Sequence, residues 1–270
     1  MKKIHGLYYS ATGNTKRIVT GIAREMSRGF VNTDITPAED RKEKQLSYGA
    51  DDIVVVGAPV YGGRLPEHVA EYYKTLKAEG SKAVAIVTYG NRAYEDALLE
   101  LSDILKEVGF EIVAAGAFVG EHTYTDKVAN HRPDWDDMDR AYDFANQIYD
   151  RLEAFIKSEE GAPADRFSFP EISIPGNRPY KERGGARPKT APFLDPKLCI
   201  KCGACMEKCP VKAIDREDYT KIDADKCLAC GRCIKNCQVH AIWFTADWIK
   251  ELSERLENTC QERKEPEVFL

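Results

Sequence analysis

The sequence lacks any apolar run long enough to cross a membrane, and it lacks an excess of positive charge. Because a helical span needs about 20 apolar residues, we expect no membrane span. The first ten residues begin with a basic segment but contain no apolar core of signal-peptide length, so we expect a cytoplasmic protein. The net charge of -5 argues against nucleic acid or an anionic membrane as the main partner, because such sites are basic. A protein or small-molecule partner is predicted instead.

A dinucleotide signature is also missing. No G-x-G-x-x-G follows any predicted strand, so the sequence does not indicate a nicotinamide site. We assign no catalytic residue from the sequence, and whether the protein is an enzyme stays open.

Cysteine, in contrast, is concentrated in one stretch. Eight of the nine cysteines lie in residues 199–237, in two runs with the spacing C-x2-C-x2-C-x3-C. The second run repeats the first 28 residues later together with nearby apolar positions, which indicates an internal duplication. Three cysteines spaced in this way present three thiolates to one face of a cube-shaped iron-sulfur cluster, and the fourth cysteine of each run ligates the other cluster.

The spacing therefore predicts two [4Fe-4S] clusters. The first predicted ligand set is Cys199, Cys202, Cys205 and Cys237, and the second is Cys227, Cys230, Cys233 and Cys209. The ninth cysteine, Cys260, fits neither run and is interpreted as an incidental thiol.

Disulfides and structural zinc are the alternatives. Disulfides need an oxidising compartment, and structural zinc usually shows paired C-x2-C motifs rather than triplets with a fourth member elsewhere. We therefore favour clusters. The stretch resembles the bacterial two-cluster ferredoxins, although Gln238 stands where a second proline is usual in that family.

The first residues predict a strand, a loop and a helix. Residues 4–9 are largely apolar, and apolar residues recur at helical spacing from Ile18 to Met26. Between them lies the run Ser10-Ala11-Thr12-Gly13-Asn14-Thr15. Such a loop presents hydroxyls and backbone N–H groups at a helix N-terminus, which suits a phosphate. A turn of this composition can also serve only as a helix cap.

The pattern then alternates between strands and helices. Continuous β-branched runs predict strands buried on both faces of a parallel sheet. Strands are predicted at 4–9, near 31–35, and at 52–58, 82–88 and 111–119, and later helices at about 66–79, at 93–108 and from the N-cap Asp134 to about Lys157. This order predicts an α/β fold with a doubly wound, five-stranded parallel sheet.

Three loops are expected at the ligand-binding edge of that sheet. A ligand of a doubly wound sheet binds beyond the carboxyl ends of its strands, where residues 59–66, 89–94 and 120–124 should lie. Glycines in these loops let the backbone approach a flat ring, and Tyr61 and Tyr89 offer faces for stacking. The loops therefore predict a site for a flat aromatic ligand.

The first domain resembles the flavodoxins. Its Ser/Thr-rich run resembles their FMN-phosphate loop, and loops 59–66 and 89–94 resemble their isoalloxazine-binding loops. The resemblance implies FMN bound by Ser10, Ala11, Thr12, Gly13, Asn14, Thr15, Pro59, Val60, Tyr61, Gly62, Gly63, Tyr89, Gly90, Asn91 and Arg92. We expect Arg64 and Arg92 to favour the anionic reduced flavin by charge attraction. His122 and His131 are interpreted as polar loop residues.

Four segments are predicted along the chain. They are a flavodoxin-like domain at 1–157, a Pro/Gly-rich basic linker at 158–193, a small α+β two-[4Fe-4S] ferredoxin-like domain at 194–244, and a C-terminal helix and tail at 245–270 packed on the cluster domain. The linker is interpreted as either an ordered strap or a flexible segment. Its length permits flavin and clusters to meet within one chain or across a homodimer.

The whole chain resembles the flavodoxin-ferredoxin fusion proteins of anaerobic microbes. A flavin exchanges two electrons in single steps and each cluster passes one electron at a time. The combination can therefore convert between two-electron and one-electron transfer. The resemblance implies an electron-transfer protein that works between FMN and two [4Fe-4S] clusters, with a redox protein as donor or acceptor. The alternatives are a flavin-dependent reductase of a small acceptor, such as a quinone or nitro compound, and a redox-sensing regulator.

Overall fold

A six-stranded sheet forms the centre of the first domain. The computed structural model describes residues 3–43, 45–158, 169–183 and 188–270. The strands are β1 (Lys3–Tyr8), β2 (Val31–Asp34), β3 (Ser47–Tyr48), β4 (Asp52–Pro59), β5 (Lys77–Ala78), β6 (Lys82–Tyr89), β7 (Glu111–Val119), β8 (Phe193–Leu194), β9 (Ile242–Trp243) and β10 (Glu267–Phe269). The helices are α1 (Asn14–Met26), α2 (Ala38–Glu43), α3 (Glu67–Tyr73), α4 (Ala97–Glu107), α5 (Trp135–Ser158), α6 (Ala204–Glu207), α7 (Arg232–Lys235) and α8 (Asp247–Thr259).

The sheet order is β10-β7-β6-β4-β1-β2, and its five strands from β7 to β2 pair in parallel. The interiors of β4, β6 and β7 are buried on both faces, as their β-branched runs predict. One apolar core lies between the sheet and helices α1 and α5, and the other lies between the sheet and helices α3 and α4. The predicted doubly wound α/β domain with five parallel strands is therefore confirmed.

Helix α5 begins where its sequence predicts. The Asp137 N–H donates to Asp134 Oδ1 at 3.1 Å, and the Asp134 N–H donates to Asp137 Oδ2 at 2.9 Å. This reciprocal pair satisfies N–H groups that the first helical turn leaves without partners. The N-cap role predicted for Asp134 is confirmed.

Helix α3 is shorter than the predicted 66–79. It ends at Tyr73, and β5 then pairs in parallel with β3. The Lys77 N–H donates to Leu46 O at 3.2 Å, and the Glu79 N–H donates to Tyr48 O at 3.1 Å. These hydrogen bonds to a distant segment replace the helical ones, so a local pattern could not predict where the helix stops.

The sixth strand is not part of the predicted five-stranded sheet. β10 comes from the C-terminal tail and pairs antiparallel with the edge strand β7, with Phe269 opposite Ala115 and Glu267 opposite Ala117. The tail therefore returns to the first domain after the cluster domain is complete.

The second domain is small and repeats one motif. α6 and α7 follow Gly203 and Gly231, and both glycines are in the left-handed conformation. β8 pairs antiparallel with β9, and a small core of Leu194, Ile214 and Ile242 packs against the cysteines. This symmetry is consistent with the sequence duplication.

The described part of the predicted linker is an extended strap. The Asn177 N–H donates to Asp96 Oδ1 at 2.8 Å, the Lys181 N–H donates to Asp96 Oδ2 at 2.6 Å, and Arg178 pairs with Asp103. Residues 171–181 thus lie against the α4 segment, whereas residues 159–168 and 184–187 of the predicted linker are outside the described residues. Within the described ranges, no helix is both long and apolar enough to cross a membrane.

Candidate functional site

A cavity of about 670 Å³ lies beyond the carboxyl ends of the parallel strands. This is the position at which doubly wound sheets bind ligands, because the strand order reverses there. The residues that the sequence assigns to FMN and that line this cavity are Ala11, Thr12, Asn14, Thr15, Pro59, Val60, Tyr61, Gly62, Gly63, Tyr89, Gly90 and Arg92. The structure therefore brings most of the predicted residues together.

The loop after β1 leads into α1 and opens on the cavity. Gly13 has φ +100°, a conformation that glycine adopts without strain. The Lys16 N–H donates to Ser10 Oγ at 3.0 Å, and Thr15 Oγ1 lies 2.6 Å from Thr88 Oγ1. Ser10 and Gly13 do not line the cavity, so their part is to shape the turn that places the amino end of α1 there.

The loop after β4 supplies an aromatic face. Tyr61 is half-buried and lines the cavity beside Gly62 and Gly63, whose φ angles are +65° and +89°. Burial raises the pKa of the Tyr61 hydroxyl well above its usual range, so the phenol stays neutral. The loop can therefore present an uncharged ring and a bare backbone to a flat ligand.

Tyr89 and its neighbours form another part of the cavity wall. The Tyr89 ring is buried, packs 5.4 Å from the Tyr94 ring, and has a pKa raised to about 12 by burial. A side chain at Gly90 would overlap the His122 ring, so the glycine lets the loops after β6 and β7 close together. Burial and the positive charge of Arg92 lower the pKa of His122 to about 4, which keeps the imidazole neutral.

The two arginines expected near the flavin differ in position. Arg92 lines the cavity and forms an ion pair with Glu95 at 2.7 Å. Arg64 does not line it, because its guanidinium donates two hydrogen bonds of 2.8 Å to the Glu100 carboxylate. Arg64 is thus held outside the cavity wall, and the hypothesis that both arginines favour the anionic reduced flavin stays a prediction.

The Asn91 side chain contacts the C-terminal tail, although the loop that carries it also contributes to the cavity wall. Its Nδ2 donates to Cys260 O and Glu262 O, each at 2.8 Å, and its Oδ1 accepts from the Lys264 N–H at 3.3 Å. The side chain does not line the cavity. It holds the returning C-terminal tail.

Distant segments complete the cavity. The wall includes Lys181 and Arg183 from the strap and Leu252, Arg255 and Leu256 from α8. The Ser253 hydroxyl donates to Tyr124 O at 3.0 Å, and Glu257 accepts from the Thr125 hydroxyl at 2.5 Å. The expectation that α8 packs on the cluster domain is therefore incomplete, since the helix also lies over the first domain. Apolar spacing predicted the helix, but no local signal shows which distant surface it covers.

The cysteines form two groups of four around separate cavities. One cavity is lined by the proximal quartet, which is Cys209, Cys227, Cys230 and Cys233. The other cavity is lined by the distal quartet, which is Cys199, Cys202, Cys205 and Cys237. All nine cysteines are free thiols. Backbone N–H groups donate to sulfur in both runs, from Lys201 to Cys199, Ala213 to Cys209, Ala229 to Cys227 and Ala241 to Cys237, at 3.2–3.4 Å. Such N–H donors stabilise a charged thiolate.

The proximal quartet adjoins the large cavity. Leu228, Ala229 and Cys230 line both cavities, so a single stretch of chain separates them. Burial raises the pKa of the Cys230 thiol to about 11. Phe244 lines the proximal cavity, whereas Trp243 packs against Phe193 at the surface.

The distal quartet is closer to solvent. Cys202 is exposed, and the apolar side chains beside this quartet are exposed by 50% at Leu198, 61% at Ile200 and 37% at Val239. Lys197 and Lys201, which flank Cys199, are exposed as well. The four proximal cysteines are all half-buried, whereas the distal quartet includes the exposed Cys202.

Basic side chains of the cluster domain join the two domains. The Arg232 guanidinium donates to Ser10 O at 2.8 Å and to Ala11 O at 3.0 Å. Ion pairs link Lys235 to Glu121 and Lys212 to Glu39. The Arg232 contacts hold the proximal quartet against the loop that precedes α1, and the two ion pairs link the domains at other positions.

The donor groups fit the cofactors that the sequence predicts. The amino end of α1 and the Thr12 and Thr15 residues suit a phosphate, and the neutral Tyr61 face and the glycine loops suit a flat ring. Each quartet supplies the four thiols that a [4Fe-4S] cluster requires. Among the described residues, no three or more His, Cys, Asp or Glu side chains are grouped closely enough to hold a single metal ion.

Comparisons with known proteins match two separate parts of the chain. A flavodoxin-domain family model matches residues 7–132, and a 4Fe-4S dicluster domain model matches residues 198–241. The chain is 23% identical over 164 residues to putative diflavin flavoprotein A 2 of Thermosynechococcus vestitus, covering 60% of this chain and 27% of that protein. It is 56% identical over 27 residues to ferredoxin 7Fe of Hydrogenibacillus schlegelii, covering 10% of this chain and 35% of that protein. The chain thus spans about a third of these relatives or less.

Solved structures of flavodoxins align with the first domain. Flavodoxin 2 from Bacillus cereus is 19% identical, with a TM-score of 0.41, 55% of this chain covered and 99% of that chain. A short-chain flavodoxin associated with a non-canonical PDU bacterial microcompartment is 18% identical, with a TM-score of 0.40, 56% of this chain covered and 98% of that chain.

The fold, the cavity and the cysteine groups agree with a flavodoxin-like domain joined to a 4Fe-4S dicluster domain.

Proposed function

We propose that each chain binds one FMN and two [4Fe-4S] clusters and passes electrons between them. When bound, FMN exchanges two electrons in single steps and each cluster exchanges one. The observation that carries the proposal is the wall shared by the large cavity and the proximal cavity, formed by Leu228, Ala229 and Cys230. Flavin and clusters can therefore work within one chain, which leaves a homodimer unnecessary for their contact.

The chain's own residues would perform three tasks. The loop before α1 would bind the FMN phosphate, and Tyr61 with the loop after β6 would hold the ring. Leu252 and Leu256 of α8 would exclude water above it, because they are apolar side chains in the cavity wall. The proximal and distal quartets would bind the clusters with the ligand sets given by the spacing.

The proposal also implies a sequence in which electrons pass from one cofactor to the next. The distal quartet is nearer to solvent and the proximal quartet adjoins the large cavity. A redox protein would therefore exchange electrons at the distal quartet, and the proximal quartet would connect it to the flavin. The proposal places the protein in the cytoplasm, where thiols stay reduced.

A reductase of a small acceptor is a second candidate. The cavity wall contains Arg92, Lys181, Arg183 and Arg255, which suits an anionic acceptor over the ring. Steady turnover of a quinone or nitro compound with a cluster-reducing donor would favour a reductase. A flavin that reacts only with protein partners would favour a carrier.

The cofactor content tests the proposal directly. Anaerobic reconstitution of the full chain with FMN, iron and sulfide should give about one FMN and about eight iron atoms per chain. Zinc in place of iron, or a protein that binds no flavin, would refute the proposal. A value near seven iron atoms, the number in the name of the Hydrogenibacillus relative, would refute two complete [4Fe-4S] clusters.

Two cysteine variants sharpen that measurement. Cys202→Ala should lower the iron content by up to about four atoms per chain, because it removes a distal ligand, while the FMN content stays unchanged. Cys260→Ala removes a thiol outside both quartets and should leave both contents unchanged. Equal iron loss in the two variants would contradict the ligand assignment.

A further inference from the structure

Arg232 reaches from the cluster domain to the loop that precedes α1. It lies between two members of the proximal quartet, Cys230 and Cys233. Its Nη1 donates to Ser10 O at 2.8 Å and to Ala11 O at 3.0 Å, more than 200 residues away in the chain. One guanidinium therefore holds two successive carbonyl groups of the predicted phosphate loop.

Holding these carbonyls fixes the direction of two N–H groups. In a planar trans peptide, the C=O and the following N–H point in opposite directions. The peptides whose carbonyls bind Arg232 carry the N–H groups of Ala11 and Thr12, and both of these residues line the large cavity. Arg232 therefore turns two backbone donors away from itself, at the position where an FMN phosphate would bind.

The internal duplication shows that the cluster loop itself does not require this arginine. The first run reads Cys202-Gly203-Ala204-Cys205, and the second reads Cys230-Gly231-Arg232-Cys233. Ala204 begins α6 as Arg232 begins α7, each after a left-handed glycine. A short, uncharged side chain is thus compatible with the same backbone, and the arginine is present only in the repeat that faces the first domain.

We infer that Arg232 is a positioning residue for the FMN phosphate and that it makes FMN affinity depend on the loading of the proximal quartet. Metal ligation orders the cysteines on both sides of Arg232, and the ordered arginine then holds the loop carbonyls. Because binding linkage is reciprocal, FMN should favour loading of the proximal quartet by the same factor. This inference rests on the proposed function, since it requires that the chain bind both cofactors.

The test compares two flavins in the full-length chain. FMN and riboflavin, which lacks the phosphate, are titrated by flavin fluorescence into the wild type and into Arg232→Ala, each with and without clusters. In cluster-loaded protein, R232A should bind FMN about tenfold more weakly, in the range of a charge-assisted hydrogen bond, and riboflavin within about twofold of wild type. Without clusters, the wild type should lose about tenfold in FMN affinity and R232A should change little.

The remaining outcomes separate a positioning role from a general structural role. Equal weakening of FMN and riboflavin, or cluster dependence that persists in R232A, would overturn the inference. Lys212→Gln removes another cation between the domains, paired with Glu39, and should leave FMN affinity unchanged. Arg232→Lys should recover part of the lost affinity. R232A should retain the wild-type iron content, and a wild type that binds no FMN or no iron would instead refute the proposed function.

Discussion

Asn91 shows how one side chain can hold a distant segment in place. The residue is buried, has φ +60°, and makes three hydrogen bonds to the backbone of residues 260–264. Asparagine tolerates this left-handed conformation better than other residues with a Cβ. Backbone geometry and tail anchoring thus depend on the same position.

Two substitutions separate these roles. Asn91→Gly keeps the conformation and removes the hydrogen bonds, so it should lower the free energy of unfolding by about 1–3 kcal/mol. Asn91→Ala adds the strain of a Cβ and should cost about 1 kcal/mol more. Urea unfolding measures both, and carboxypeptidase should release residues after 260 faster from either variant. Wild-type stability in Asn91→Gly would show that the tail is held by other contacts.

His68 makes the stability of the first domain depend on pH. Its ring packs against Tyr9 with centroids 5.0 Å apart, and its Nε2 has no hydrogen-bond partner among the described residues. Burial, and then the charge of Arg41, lower the pKa of His68 to about 4. The folded protein therefore keeps this imidazole neutral in a range where the unfolded chain binds a proton.

The sign of the pH effect follows from that difference. Above the ordinary histidine pKa of about 6.5 both states are neutral, so this residue imposes no penalty. As the pH falls from about 6.5 towards 4, the unfolded state binds more protons and the wild type should lose about 2 kcal/mol relative to His68→Gln, allowing for partial exposure. Urea unfolding of both proteins at pH 7 and pH 4.5 measures the difference. Parallel pH profiles would show that His68 is not the group responsible.

Some residue roles can be predicted from local patterns in the sequence, and others cannot. Cysteine spacing, the Ser/Thr-rich run and the glycine loops are local patterns, and the structure brings these residues together around three cavities. Arg64 and Asn91 lie in the same loops, but Glu100 and the C-terminal tail, respectively, draw their side chains away. The partners of Arg232 and Leu256 are in another domain, so spacing along the chain carries no information about them.

Among the elements, β10 protects an edge of the sheet. It pairs with β7, and Val268 and Phe269 pack on the two apolar cores. Glu267 also accepts a hydrogen bond of 2.7 Å from the Tyr94 hydroxyl. Strand periodicity predicted the five long buried strands, but three residues at the end of a polar tail are too few for a pattern.

Truncation after Lys264 tests the role of β10. Removing the strand exposes the edge of β7 and the apolar surface under Val268 and Phe269, so the free energy of unfolding should fall by about 2 kcal/mol or more. An exposed, apolar edge strand also pairs with other chains, so light scattering should show concentration-dependent association. Deleting only Leu270, which is 40% exposed, is the matched control. A truncated protein as stable and monomeric as the control would refute this role.

At the scale of the whole molecule, the arrangement of the domains limits where partners can exchange electrons. The strap and α8 line the large cavity, which the proximal quartet adjoins, whereas the distal quartet includes the exposed Cys202. The length of the linker alone would permit flavin and clusters to meet either within one chain or across a dimer. Long-range pairs such as Arg232 with the Ser10 carbonyl show the arrangement within one chain, and no sequence pattern encodes them.

Charge around the distal quartet should select an acidic partner. Lys197 and Lys201 flank Cys199, and both are exposed beside the apolar side chains of Leu198 and Ile200. Although the chain carries a net charge of -5, this local positive charge would attract a small acidic one-electron carrier and speed its encounter.

The double variant Lys197→Glu/Lys201→Glu measures this attraction. Stopped-flow reduction of the cluster-loaded protein by a reduced, acidic ferredoxin should be about tenfold or more slower than for the wild type at low ionic strength. The difference should shrink in about 0.5 M salt, because mobile ions screen exposed charges. Lys77→Glu reverses an exposed lysine on β5, which leads into the amino end of β6 and so lies away from the carboxyl ends of the strands, and should leave the rate near wild type. A rate that falls equally in both variants would trace the effect to net charge, and an unchanged rate in the double variant would place the docking surface elsewhere.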